Sequence, residues 1–156
     1  QIQKSRQCSV GFFHVCMACR RIHGNPGLRT AHKILLALLR YVKEQHPAML
    51  TRLNTNGLGE LEYGREISAD FAGILDTISI SLNASSAERY YELTRAKYGI
   101  QSYEAMLTFA EHSKKYVPNV VLTIVDQVEG PDEIAKCQAI CRDRGLTLRV
   151  REYEES

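Results

Sequence analysis

From residue 27 onward the chain alternates between apolar residues at helical spacing and short β-branched runs, with turn residues between them, and this rhythm limits it to a few architectures. Ile34, Leu35, Leu38, Leu39 and Val42 predict a helix over 28–45. His46-Pro47 ends it, because a residue before proline is pushed out of the helical region. A strand fits 50–55; Asn56-Gly57 closes it, and Gly59 and Gly64 flank a loop. An amphipathic stretch over 68–75 has Ser68 as N-cap, and 77–82 reads as the next strand. Ser85 or Ser86 caps a helix through Arg95, and Ser102 caps another over 103–116. The run 119–125, bounded by Pro118 and Gly130, predicts a strand buried on both faces. Pro131 opens a helix where its missing N–H costs least, Gly145 caps that helix, and 146–153 is a last strand.

Strands separated by helices predict parallel βα units rather than hairpins. The first 26 residues break the rhythm. A strand fits 10–15, but no helix precedes it, and three of the five cysteines, Cys8, Cys16 and Cys19, cluster there.

With 156 residues, 44% hydrophobic and 24% charged, the chain has the composition of one ordinary globular domain and not of a coiled coil or a disordered segment. Its longest apolar run, residues 34–39, is far short of the roughly 18 residues a membrane span needs. Nothing at the start reads as a secretory leader, so the expected location is the cytoplasm. Residues 1–50 hold eight Lys or Arg against the single acid Glu44, whereas residues 51–156 hold twelve against seventeen. The basic first part reads either as an anion-binding half or as solvated surface. No interleaving of basic and aromatic residues marks a nucleic-acid groove. Five cysteines in an intracellular chain argue against a disulfide scaffold.

In parallel α/β sheets ligands bind at the carboxyl ends of the strands, where loops and helix N-termini present free N–H groups. Here those ends are His23-Gly24-Asn25-Pro26, Asn54-Thr55-Asn56-Gly57, then Ser79, Ser81 and Asn83, then Asp126, and last 149–152. These small polar groups and glycines suit the holding of a polar cofactor better than acid–base hydrolysis.

Gly24-Asn25-Pro26 before a long amphipathic helix, Asn54-Thr55-Asn56-Gly57, Ser79-Ile80-Ser81-Leu82-Asn83-Ala84 and the strand Val121-Leu122-Thr123-Ile124-Val125 stand in an order that resembles the radical S-adenosylmethionine (radical SAM) enzymes. The Leu-Asn-Thr-Asn-Gly string at 53–57 and the Lys-Tyr-Val-Pro-Asn-Val-Val-Leu-Thr string at 115–123 look most like a subgroup often encoded near TatD-type nucleases. The resemblance implies a partial TIM-like parallel (β/α) barrel over 24–156, about five strands of a six-unit barrel, preceded by an irregular or divergent segment over 1–23. It implies two cofactors, S-adenosylmethionine and a 4Fe-4S cluster. Gly24, Asn25 and Pro26 match the motif that binds the methionyl amine, with Asn25 where the family has an acid. Asn54, Ser81 and Asn83 match the groups near the cofactor's carboxylate and ribose; hydroxyls and amides serve there as donor or acceptor.

The cluster motif departs from the family. A CxxxCxxC loop after the first strand defines the group, whereas Cys8, Cys16 and Cys19 are spaced Cx7CxxC, and four residues separate Cys19 from Gly24 where the family has a helix and a strand. These thiols read as a residual metal site or as incidental cysteines. Cys137 and Cys141, four apart on a helix, share a face and read as core. His14, His23, His32, His46 and His112 form no metal-ligand spacing. The expectation is a radical SAM domain with impaired activity in this chain. The alternative is a non-catalytic α/β module that binds a small molecule or a partner. An open sheet edge would also allow self-association.

Overall fold

A computed structural model describes residues 12–17, 27–125 and 130–151, with backbone alone for 12–17 and 27–30. The elements in chain order are β1 (Phe12–Met17), α1 (Gly27–Gln45), β2 (Leu50–Thr55), α2 (Gly59–Tyr63), a 3₁₀ turn (Ser68–Phe71), β3 (Thr77–Ser81), α3 (Ala87–Thr94), α4 (Gln101–Ser113), β4 (Asn119–Val125), α5 (Pro131–Asp143) and β5 (Thr147–Arg151). All four strand pairings are parallel, and the sheet order is β1-β2-β3-β4-β5. The architecture is α/β with an open sheet, β1 and β5 each pairing on one side only among the described residues.

Register divides the sheet into two chemically different faces. Leu53 stands beside Ile78, Ile78 beside Val120, Ile80 beside Leu122, and Leu122 beside Leu148. Successive side chains of a strand point to opposite faces, so these residues share one face. Ile78, Ile80 and Leu122 on it are wholly buried. α1 adds Leu35, Leu36 and Leu39 to this core, α4 adds Met106, Leu107, Phe109 and Ala110, and α5 adds Cys137 and Cys141. Each fully buried Leu, Ile or Phe contributes about 1.5–3 kcal/mol relative to exposure. The remaining residues of the α1 pattern turn outward: Ile34 and Leu38, with Tyr41, are exposed.

The amino ends of β2, β3 and β4 are tied by one residue, Asp76. Asp76 Oδ2 accepts from Lys43 Nζ at 2.6 Å, from the Thr51 amide at 2.7 Å and from Thr51 Oγ1 at 3.0 Å. Its backbone carbonyl accepts from the Asn119 amide at 3.1 Å, which reaches β4. Partial burial alone would raise the Asp76 pKa, but the bonds from Lys43 and Thr51 outweigh it and hold the carboxyl below its ordinary value.

Several boundaries differ from the sequence expectations. β1 starts two residues later than expected, within the segment read as irregular. The loop between Gly59 and Gly64 holds the short helix α2, ended by Gly64 at φ 64°. Ser68 is not an N-cap: it is buried, and its hydroxyl donates to Glu60 Oε1 at 2.7 Å. Ser102 is likewise not a cap but lies inside α4 with its hydroxyl buried and unpaired. Ser86 does cap α3, accepting from the Arg89 amide. β4 is half-buried rather than buried on both faces, since Val121 and Val125 are only partly covered. No helix among the described residues is long and apolar enough to cross a membrane.

Replacing Asp76 with Asn is expected to cost about 2 kcal/mol, the scale of a charge-assisted hydrogen bond, measured by urea denaturation at neutral pH. Because the Asp76 carboxyl is depressed in the folded state, its stabilisation is present above the unfolded value of about 4 and fades as pH falls below it. The gap between native and Asp76→Asn chains should therefore narrow between about pH 4 and pH 2.

Candidate functional site

The carboxyl ends of β2, β3 and β4 form one rim. After β2 the chain turns through paired side-chain caps: Thr55 Oγ1 accepts from the Gly57 amide at 3.2 Å, and Asn56 Oδ1 from the Leu58 amide at 3.1 Å. Gly57 has φ +77°, and a Cβ there would lie 3.0 Å from both Ile80 Cγ2 and Met106 Cγ. Only glycine supplies both the left-handed backbone and the close approach to β3 and α4.

After β3 the chain makes a tight three-residue turn. The Leu82 carbonyl accepts from the Ala84 amide at 2.8 Å, with Asn83 between them at φ 64°. This is a γ-turn of positive φ, a strained form, and asparagine tolerates it better than most residues. Leu82 and Ala84 are buried on either side, so the turn holds Asn83 at the rim. Glu133, in the first turn of α5, accepts from the Ser85 amide at 2.7 Å. The Ser85 bonds, before any other influence, lower the Glu133 pKa. Asn83, Leu93, Thr94 and Val125 line an open cleft of about 220 Å³ beside this turn.

The sheet face opposite the core is polar. Register gives it Arg52, Asn54, Ser79, Ser81, Thr123, Arg149 and Arg151, with Asn54 beside Ser79, Ser81 beside Thr123, and Thr123 beside Arg149. Arg52 Nε donates to Asn54 Oδ1 at 3.1 Å. Ser79 and Thr123 are buried even though they lie on this side. Arg52 is half-buried, and its pKa is lowered first by that burial and then by the positive charges of Arg149 and Arg151.

Of the residues expected to bind cofactor, Asn54, Ser81 and Asn83 thus stand on neighbouring strand ends. Gly24, Asn25, Pro26, His23, Asp126 and Glu152 lie outside the described residues, as do Cys8 and Cys19. Cys16 sits within β1, its Cα paired with that of Asn54. Among the described residues no group of three His, Cys, Asp or Glu side chains is placed to hold a metal ion. Cys137 and Cys141 are buried in the core, and burial pushes the Cys141 thiol up to about 11. His32 bonds Asp70 at 2.9 Å, and His112 bonds Glu60 at 2.9 Å. Sequence reasoning missed Arg52, Thr123 and Glu133. The period-2 alternation that puts Arg52 with Asn54 was available to it; the long-range bond of Glu133 to Ser85 was not.

Fold and rim together define a parallel α/β domain with a polar rim at the carboxyl ends of β2, β3 and β4. No family model and no curated protein matches the chain. Among solved structures the acylaminoacyl peptidase of Pyrococcus horikoshii aligns with 83% of this chain at 13% identity and a TM-score of 0.41. The chain spans 24% of that peptidase, and a likeness this low carries no functional argument.

Gly57→Ala is expected to destabilise the chain by about 1–2 kcal/mol through left-handed strain, with the crowding of Ile80 and Met106 added. A fall in the urea midpoint checks this, and an unchanged midpoint would contradict the tight approach.

Proposed function

We propose that the chain is the later part of a radical SAM (β/α) barrel wall that holds S-adenosylmethionine at the carboxyl ends of its strands. The observation that carries this reading is a parallel sheet with one face apolar and helix-covered and the other lined, among the described residues, by polar side chains. Parallel sheets ordinarily bury apolar residues on both faces, and a polar second face is what the inward wall of a ligand-holding barrel needs. The sequential strand order supports the reading, since right-handed crossovers between consecutive neighbours place every helix on the same side.

Asn54, Ser81 and Asn83 fit the polar parts of the cofactor. The Asn54 carbonyl is taken by Arg52, which leaves its amide N–H groups for a carboxylate or ribose oxygen. Ser81 and Asn83 offer a hydroxyl and an amide on adjoining positions of one strand end. Gly24, Asn25 and Pro26 belong to the reading through the family resemblance alone.

The cluster is a separate matter. In the family it delivers the electron that splits the cofactor to a 5′-deoxyadenosyl radical. The described residues of this chain do not fit it: Cys16 is the one member of its cysteine set that lies among them, and it belongs to a strand rather than a loop. The chain by itself is therefore expected to bind the cofactor without cleaving it.

Anaerobic titration calorimetry with S-adenosylmethionine tests the binding. Saturable binding is expected, weakened about tenfold by Ser81→Ala and by Asn83→Gly, the latter leaving the positive-φ turn unstrained and the fold intact. Reconstitution with iron and sulfide, followed by an assay for 5′-deoxyadenosine, is expected to give no product. Absence of S-adenosylmethionine binding would favour a non-catalytic α/β module, and cofactor turnover on a full cluster would overturn the impaired-activity reading.

A further inference from the structure

We infer that two copies of this chain join across the outer edge of β1, with β1 antiparallel to β1 of the second copy and α1 packed antiparallel on its α1. The inference does not rest on the proposed cofactor, which is placed at the carboxyl ends of β2 and β3.

α1 carries two apolar surfaces. One is the stripe of Leu35, Leu36 and Leu39 that joins the core. The other is Ile34, Leu38 and Tyr41, which remain 61%, 39% and 60% exposed where a surface helix ordinarily turns polar residues outward. Their spacing, four residues and then three, is that of a helix–helix seam. Bonds on the far side of the helix fix the direction of this seam. Lys43 donates to Asp76, and His32 bonds Asp70, so that side of α1 faces the connection between β2 and β3. Lys43 follows Ile34 by nine residues, about two and a half turns. Ile34 and its row therefore look the opposite way, along the sheet toward β1.

The two sheet edges differ in the same sense. β5 carries Arg149 and Arg151, charges that discourage a further strand. β1, with the sequence Phe-Phe-His-Val-Cys-Met, has no lysine, arginine, acid or proline. The exposed seam of α1 thus borders the edge that lacks such a guard.

A single two-fold axis perpendicular to the sheet serves both contacts. Neighbouring strands are about 4.8 Å apart, and a crossover helix lies over the two strands it joins. α1 is then half a spacing inside β1 and the axis half a spacing outside it, which sets the two α1 helices about 9.6 Å apart, a normal packing distance. The levels along the strands agree as well. Lys43 reaches Asp76, which accepts from Thr51, the register partner of Phe13. Leu38 lies five residues back along the helix, about 7.5 Å, or about two residues of strand. It therefore stands level with His14 and Val15, the middle of β1. An axis at that level puts Leu38 on Leu38 of the second copy and Ile34 beside its Tyr41. Lys33 and Glu44, both exposed and on one flank of the seam, then come level with each other across the axis, twice. Such complementary charge fixes the register of an interface.

Sedimentation equilibrium of the full chain over a wide concentration range tests the interface. A monomer–dimer equilibrium is expected. Leu38→Glu sets two carboxylates together at the axis and should weaken it about tenfold or more, with an unchanged urea midpoint at monomeric concentrations. Lys33→Glu faces Glu44 of the second copy and should weaken the dimer several-fold, and the double variant Lys33→Glu/Glu44→Lys should restore it. Amides of β1 should exchange more slowly in the dimer than in the monomer. A chain that stays monomeric, a dimer that Leu38→Glu leaves intact, or β1 amides that exchange equally in both states would overturn the inference. S-adenosylmethionine binding should be the same in Leu38→Glu and the native chain, so the cofactor reading and the interface fail separately.

Discussion

Everything else in the molecule depends on the register that aligns Leu53, Ile78 and Val120 in one row and Ile80, Leu122 and Leu148 in another. A one-residue slip in any pairing would move an entire apolar set to the opposite face. α1, α4 and α5 are held because their buried stripes have that single apolar surface to pack on. Asp76 reinforces the register where the strands begin: its carboxylate takes both the amide and the hydroxyl of Thr51, and its carbonyl takes the Asn119 amide. The three central strands are thereby pinned at their amino ends, while their carboxyl ends are left to turns and polar side chains.

That polarity runs along the strands. The amino ends carry the satisfied ion pair of Asp76 and Lys43, and the carboxyl ends carry features that cost stability: positive φ at Asn83 and a glycine pressed between Ile80 and Met106. Backbone strain of this kind tends to cluster at functional sites. Glu133 shows how the fold carries the Asn83 turn, since its bond to Ser85 fixes the loop from a helix 48 residues further along the chain.

Local pattern made much of this legible. β2 and β4 have the boundaries expected from their β-branched runs and flanking turn residues, and Pro131 starts α5 as its position predicts. What escaped was tertiary. Gly59 opens the short helix α2, whose Glu60 then takes the Ser68 hydroxyl that an N-cap reading had assigned locally. Ile34 and Leu38 fit the α1 period but lie outside the stripe that meets the sheet. Charge was the most instructive case. The excess of Lys and Arg in residues 1–50 was one candidate for an anion site, whereas the arginines that the register sets on the polar face are Arg52, Arg149 and Arg151, drawn from the net-acidic remainder of the chain. Residues 97 and more positions apart come to share a face only through sheet order, which linear charge counts cannot see.

The central claim is that the carboxyl rim of β2 and β3 is where the ligand sits, and a residue-resolved amide footprint tests it most directly. On titration of the isotopically labelled chain with S-adenosylmethionine under anaerobic conditions, the amide signals of Asn54, Ser81 and Asn83 should shift together and saturate at one concentration. Those at the amino ends, Thr51, Asp76 and Asn119, should stay in place. Shifts confined to the amino ends, or to the outer face of α1 around Ile34 and Tyr41, would contradict the account.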